Sequence, residues 1–221
     1  MPSARRMVAF VLLAVMAFSL HGQTPVLARP ELSQAPAPQV LAVPDPVAAS
    51  LDASTTAFLA IDLLQSGCAA NPSCVASLPA VASGLAAARA AKVLTVFSVH
   101  PAPDNNILPD VAPLPNDPVF VAIPGDKFFN SNLDTILRQA GITTLVITGI
   151  ASNVGVLYTA AAATQRGYTV VVAEDGISGA TDLATSVALW QLLHGLGGNT
   201  QNVPLQAKAV TLSRTDLITY K

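Results

Sequence analysis

The chain is poor in the residues that recognise polyanions and sugars. Lys and Arg together number 11 in 221 residues, no basic run occurs, and basic residues do not alternate with aromatic ones. That argues against nucleic acid as a partner. Aromatics make up 5% of the residues, which argues against an aromatic-lined carbohydrate groove. Of the three histidines only His100 and His194 lie beyond the N-terminal segment, so the two cysteines lack partners for a metal site, and neither metal nor cofactor is expected. Past residue 28 no apolar stretch is long and uninterrupted enough to span a bilayer, so no stable membrane anchor is expected after processing.

What is present begins with a targeting pattern. Arg5 and Arg6 precede the 14-residue apolar run "MVAFVLLAVMAFSL", and "VLA" at Val26 to Ala28 offers a small-residue cleavage site. This is the layout of a secretory signal peptide over residues 1–28, and the run is short of the roughly 20 residues a membrane span needs. A secreted or periplasmic location is expected. Residues 29–54, "RPELSQAPAPQVLAVPDPVAAS" and the turn after it, are rich in Pro and Ala and read as an extended tether. The folded domain is expected over residues 55–221. Removing Arg5 and Arg6 from the 11 basic residues leaves nine against 13 acidic ones, a net charge of −4. In an exported chain, Cys68 and Cys74 in "SGCAANPSC" predict a disulfide.

From Thr55 onward two kinds of segment alternate. "TTAFLAID", "VLTVFSV", "PVFVAIP", "TTLVITG", "YTVVVAED" and "AKAVTLS" read as strands, and four segments of helical spacing lie between them. In "SNLDTILRQAG", Ser131 or Asn132 is the expected cap and Gly141 the stop. Continuous Val, Ile and Leu runs mark strands covered on both faces. The pattern predicts one three-layer α/β/α, Rossmann-like domain with a mainly parallel sheet of about six strands. Ligands in such folds collect at the carboxyl ends of the strands. There the sequence puts Asp62, ending the first strand; Lys127, before a helix; and Gly155, where a helix begins after "TTLVITG". An acid and a lysine at one strand edge can form a buried ion pair.

The stretches "FLAID", "GDKFFNSNLDTIL" and "TGIASNVGVLYTAAAATQRGYTVVVAEDGISG" together resemble the isochorismatase-like hydrolases, over about Thr55 to Leu212. The resemblance assigns Asp62 and Lys127 to the acid and lysine of that superfamily's Asp-Lys-Cys triad. Gly155 falls where the triad has its cysteine. It also implies a non-proline cis peptide at Ile150–Ala151 that aims backbone N–H groups at an oxyanion. Pocket candidates flanking these positions are His100, Phe128, Ser152, Asn153 and Tyr158. A small-molecule substrate and a homo-oligomer are the expected partners.

Three departures matter. Glycine cannot attack, so the superfamily's thioester chemistry is ruled out at Gly155. Gln65 sits three residues after Asp62 rather than two, and the Asp/His set that binds metal in nicotinamidases is absent, which argues against a nicotinamidase. Some isochorismatases proper also lack the cysteine; in them the aspartate acts as an acid on an enol ether and water attacks the resulting cation. Export argues against isochorismate itself, a cytoplasmic metabolite.

The expected function is therefore an exported hydrolase of a small ether, amide or ester, working through Asp62 and Lys127 with no covalent cysteine intermediate. Two rival readings stay open: a pseudoenzyme that keeps the pocket as a binding module, and a hydrolase using Cys68 as a displaced nucleophile. Gly155 itself reads equally as close helix packing or as an enlarged pocket. Asp175 reads as a turn former, and Ser178 in "GISG" lacks nucleophile-elbow spacing.

Overall fold

The computed structural model describes residues 41–103, 105–195 and 198–221. The expected signal peptide and the first part of the tether lie outside the described residues. In chain order, β1 spans Ala49–Leu51, β2 Thr56–Ile61, α1 Gln65–Cys68, α2 Pro72–Ala90, β3 Leu94–Val99, β4 Val119–Val121 and α3 Leu133–Gln139. Then follow β5 Thr144–Ile150, α4 Leu157–Gln165, β6 Thr169–Ser178, α5 Asp182–His194, β7 Val210–Ser213 and β8 Ile218–Tyr220.

Six strands form one sheet in the order β4-β3-β2-β5-β6-β7, with every pair parallel. Their side chains divide by parity, as a pleat requires. Ala57, Leu59 and Ile61 of β2, Leu145 and Ile147 of β5, and Val170 and Val172 of β6 face a core completed by Leu133 and Leu137 of α3, Ala160 and Ala163 of α4, and Leu192 and Leu193 of α5. Phe58 and Ala60, Val146, and Val171 and Ala173 face the opposite core, against Leu78, Val81, Leu85 and Ala88 of α2. Two buried faces per strand are what the unbroken apolar runs demand, and the three-layer α/β/α architecture follows.

Helix starts are set locally. Asn71 caps α2 by accepting from the N–H groups of Ser73 (3.1 Å) and Cys74 (3.4 Å), with Pro72 in the first turn, and Thr181 caps α5 through the Ala184 N–H at 3.1 Å. At α3 the cap position is Asn132, which makes no side-chain cap, and Ser131 Oγ one residue earlier accepts from the Leu133 N–H at 3.2 Å instead. Gly141, at φ 70°, ends that helix as expected.

The start of the domain needs correcting. Residues within the stretch expected to be tether form β1, which pairs in parallel with β8 as a separate two-stranded sheet, Ala49 opposite Ile218 and Leu51 opposite Tyr220. Ala49 and Leu51 are buried, and the Val47 N–H donates to the Leu212 carbonyl at 3.0 Å. Ordered packing therefore begins ahead of Thr55. A three-residue strand paired with the far end of the chain leaves no periodic signal in its own sequence.

Candidate active site

Parallel pairing puts the ends of β2, β3 and β5 side by side. Ile61 is in register with Ser98 on one side and with Gly149 on the other, so the next residue, Asp62, emerges at the centre of the carboxyl edge. Asp62 has φ 50°, a left-handed conformation that aspartate tolerates better than most residues and that turns the chain sharply off the strand. Its carboxylate is enclosed by three side chains. Ser98 Oγ donates to Oδ1 at 2.6 Å, Lys127 Nζ lies 2.6 Å from Oδ2, and His100 Nε2 lies 2.7 Å from the same oxygen.

Lys127 reaches this position from the loop between β4 and α3. Gly125, at φ 103°, makes the turn; the Lys127 N–H donates to Thr159 Oγ1 at 3.0 Å, which ties the loop to α4. The lysine side chain is 0% exposed, and besides Asp62 its Nζ donates to the Ile123 carbonyl at 3.1 Å. Moving a single charge into such a place costs several kcal/mol, by general estimate, unless an opposite charge is in contact. Asp62 and Lys127 are thus a mutually dependent pair. His100 follows β3 and is different: its side chain is 34% exposed, and it stands at the open side of the cluster.

The corner after β5 forms the other wall. The Ile150–Ala151 peptide is cis, as expected. A five-residue π-helical turn, Ser152–Val156, leads into α4, and the Ala151 carbonyl accepts from the N–H groups of Val154 (3.0 Å) and Val156 (3.1 Å). Gly155 lies in this turn. A Cβ at that position would fall 2.8 Å from the Ile150 carbonyl oxygen and 3.2 Å from Ile61 Cγ2, closer than a real Cβ approaches backbone. Of the two readings of Gly155, close packing is therefore the one the geometry carries. The corner has closed over the glycine instead of leaving room where a side chain would be.

Asp62, His100, Ile150, Ala151 and Gly155, with Pro124, Gly125 and Val154, line a cavity of about 210 Å³. Ligand pockets for drug-sized molecules run from about 300 Å³ upward, so this one fits a molecule of few heavy atoms. Among the described residues its walls carry two titratable side chains, Asp62 and His100, and are otherwise apolar or backbone. A separate groove of about 240 Å³ between α4 and α5, lined by Leu157, Tyr158, Ala161 and Leu192, holds no carboxylate, lysine or histidine.

Several expected pocket residues lie elsewhere. Phe128 is buried and stacked on Tyr168 with ring centroids 5.8 Å apart, under the Arg166 guanidinium, because the residue after a buried Lys127 points back into the core. Ser152 is fully buried, with its Oγ 3.2 Å from Thr185 Oγ1 of α5. Tyr158 is exposed and belongs to the α4–α5 groove, and Asn153 sits half-buried in the π-helical turn outside the cavity wall. Cys68 and Cys74 are buried and joined in a disulfide with Cα atoms 5.2 Å apart, which removes Cys68 as a displaced nucleophile. Among the described residues no cluster of three or more His, Cys, Asp or Glu could hold a metal ion. Ser98 was missed by sequence reasoning; its one signal was a lone hydroxyl at the end of an apolar strand, in register with the residue before Asp62.

The isochorismatase domain profile matches residues 56–201. The chain belongs to the isochorismatase family. The ureidoacrylate amidohydrolase RutB of Variovorax paradoxus is 32% identical over 208 aligned residues, which span 71% of this chain and 81% of that protein. Among solved structures, an isochorismatase family protein from Burkholderia thailandensis is 27% identical with a TM-score of 0.61, covering 77% of this chain and 96% of its own. A cysteine hydrolase from Pseudomonas syringae pv. phaseolicola has a TM-score of 0.65 at 18% identity, covering 79% of this chain and 93% of its own, a likeness that speaks to the fold. The isochorismatase-family domain here thus pairs a hydrolase fold with a corner that carries no cysteine.

Proposed function

We propose that this isochorismatase-family protein is an exported hydrolase that adds water directly to a small, uncharged amide or ester, with no covalent enzyme intermediate. The observation that carries this reading is a buried Asp62–Lys127 pair at 2.6 Å whose aspartate lines a cavity together with Gly155, a residue with no side chain to attack with. A site that keeps its charge machinery but lacks an attacking side chain retains one nucleophile, water. Lys127, held behind Asp62, fixes the carboxylate and balances its charge. Asp62 is the charged centre of the cluster that moves the protons, with Ser98, Lys127 and His100 around it. An enol ether, protonated at carbon before water attacks, needs the same two residues and belongs to the same substrate panel.

The size and lining of the cavity support the substrate class. RutB is named for ureidoacrylate, and another structural relative is an N-carbamoylsarcosine amidase from Thermoplasma acidophilum, 20% identical with a TM-score of 0.61. Small carbamoyl and amide compounds therefore head the panel. Among the described residues no arginine and no lysine lines the cavity, which disfavours a substrate carboxylate there. Turnover of acetamide, methyl acetate and N-carbamoyl compounds, followed with intact-mass spectrometry of the enzyme during turnover, tests the reading. Product with an unmodified chain mass supports it. A mass adduct on the protein, or no turnover of any compound, overturns it.

A binding module remains the second reading, favoured by one observation: both Asp62 oxygens already have partners within the chain. Ligand binding without turnover, unchanged in Asp62→Asn, would select it. Export rests on the pattern in residues 1–28; a secreted form beginning near Arg29 by N-terminal mass supports it, and full-length retention inside the cell contradicts it.

A further inference from the structure

We propose that His100, oriented by Asp62, is the base that activates the attacking water. This rests on the hydrolase reading above and names the residue that touches the water. Three groups meet at Asp62, and they differ in what they can reach. Lys127 is 0% exposed, with its Nζ committed to Asp62 and the Ile123 carbonyl. Ser98 is buried, and its Oγ both donates to Asp62 Oδ1 at 2.6 Å and accepts from the Asp62 N–H at 3.1 Å. Asp62 has Oδ1 taken by Ser98 and Oδ2 taken twice, by Lys127 and His100. His100 alone combines a wall position in the cavity with a partly open side chain.

The direction of its hydrogen bond sets what it can do. Nε2 lies 2.7 Å from Asp62 Oδ2, so the carboxylate holds the ring with the proton on Nε2. Neutral imidazole protonated there carries its lone pair on Nδ1. Among the described residues Nδ1 forms no hydrogen bond. A carboxylate that fixes tautomer and orientation, a ring nitrogen with a lone pair, and a small cavity beside it together make a water-activating dyad.

The step balances without any further reactant. A water O–H bond breaks, its proton passes to Nδ1, and the oxygen bonds to the substrate carbonyl carbon while the π pair moves to the carbonyl oxygen. The intermediate then re-forms the carbonyl as the C–N or C–O bond breaks, and the leaving group takes the proton from Nδ1. Acid and amine or alcohol are released, and His100 is neutral again. Among the described residues, Asp62 and Lys127 are the charged groups beside His100, both meeting it at Asp62 Oδ2.

The test uses the full processed protein and the amide, carbamoyl and ester panel. His100→Gln is expected to lower kcat by about 10²–10⁴-fold, the usual worth of a positioned base. It should also abolish the acid limb of the wild-type pH–rate profile. Added imidazole should restore part of the rate to His100→Ala, which a purely structural role would not produce. If the wild type turns over the panel and His100→Gln stays within threefold with its acid limb intact, the His100 role is overturned while the hydrolase reading stands. If the wild type turns over nothing, the hydrolase reading falls first and this one with it.

Discussion

Two aspartates stand at the carboxyl edge of the same sheet, and they show why position alone does not make a site. Asp62 follows β2, and Asp175 lies within β6, after the run "VVVAE". Asp175 is occupied structurally: it accepts from the Thr215 N–H and Thr215 Oγ1, each at 2.9 Å, with Arg214 at 3.7 Å, and so fastens β6 to the turn before β8. Asp62 binds a lysine that has no access to water and a histidine that has some, and it borders a cavity. The difference lies in the partners. A carboxylate tied to backbone and an exposed arginine holds the fold, whereas one paired with a buried counter-charge and bordering a cavity stands where a substrate can enter.

Lys127→Met is expected to break that contrast most severely. It strands Asp62 without its buried counter-charge, and loss of one partner of such a pair costs about 3–5 kcal/mol. Denaturant unfolding should show it as a lowered midpoint. A loss below about 1 kcal/mol, the range of exposed pairs, would place Asp62 in the same class as Asp175.

Gly155→Cys probes the wall facing Asp62. A Cβ 2.8 Å from the Ile150 carbonyl oxygen must displace backbone, and overpacking of this kind costs about 1–3 kcal/mol. The expected result is a lower Tm and a thiol that iodoacetamide modifies no faster than an ordinary one. Wild-type stability with rapid alkylation near neutral pH would mean that the corner is open and has merely lost its nucleophile.

Asp175→Asn sharpens the comparison from the other side. Weakening two hydrogen bonds to a charged acceptor should cost about 1–2 kcal/mol and leave turnover within twofold. A large loss of activity with normal stability would make the two edges functionally alike. The smallest effect concerns the neighbouring Glu174, whose carboxyl burial pushes up, with Arg214 opposing and Asp175 and Asp45 reinforcing the shift. A raised folded value favours the protonated form, so this side chain's contribution to stability is best in acid and is lost as pH rises through the carboxyl range. Glu174→Gln should therefore stabilise the protein at pH 7 by no more than a few tenths of a kcal/mol, given its partial exposure, and by nothing below about pH 3. Destabilisation at pH 7 would reverse the sign.

The six-stranded sheet was legible because its inner strands are covered on both faces and so read as unbroken apolar runs, although the edge strand β4 leaves Val119 and Val121 exposed. Asp62, Lys127 and the cis corner were legible through a sequence block that fixes their order. β1 and β8 were not, since three residues paired across the length of the chain carry no period of their own. Phe128 was assigned to the pocket by adjacency to Lys127, but adjacent side chains in a tight loop point apart, and its ring joined Tyr168 in the core. Gly155 was ambiguous for a different reason: one letter stands both for room made and for room refused, and only the distance to Ile150 separates them.

The central claim is that the charge of Asp62 sustains the proton chemistry of a water-adding site. Asn has the same shape and also tolerates the left-handed conformation at φ 50°, so Asp62→Asn removes the charge with little change of backbone. Hydrolysis of the amide, carbamoyl and ester panel by folded Asp62→Asn, beside wild type, tests the claim most directly. The account predicts that wild type turns over at least one compound and that Asp62→Asn is slower by about 10³-fold or more, because the acid–base cluster loses its central charge. Equal rates in the two proteins would contradict it.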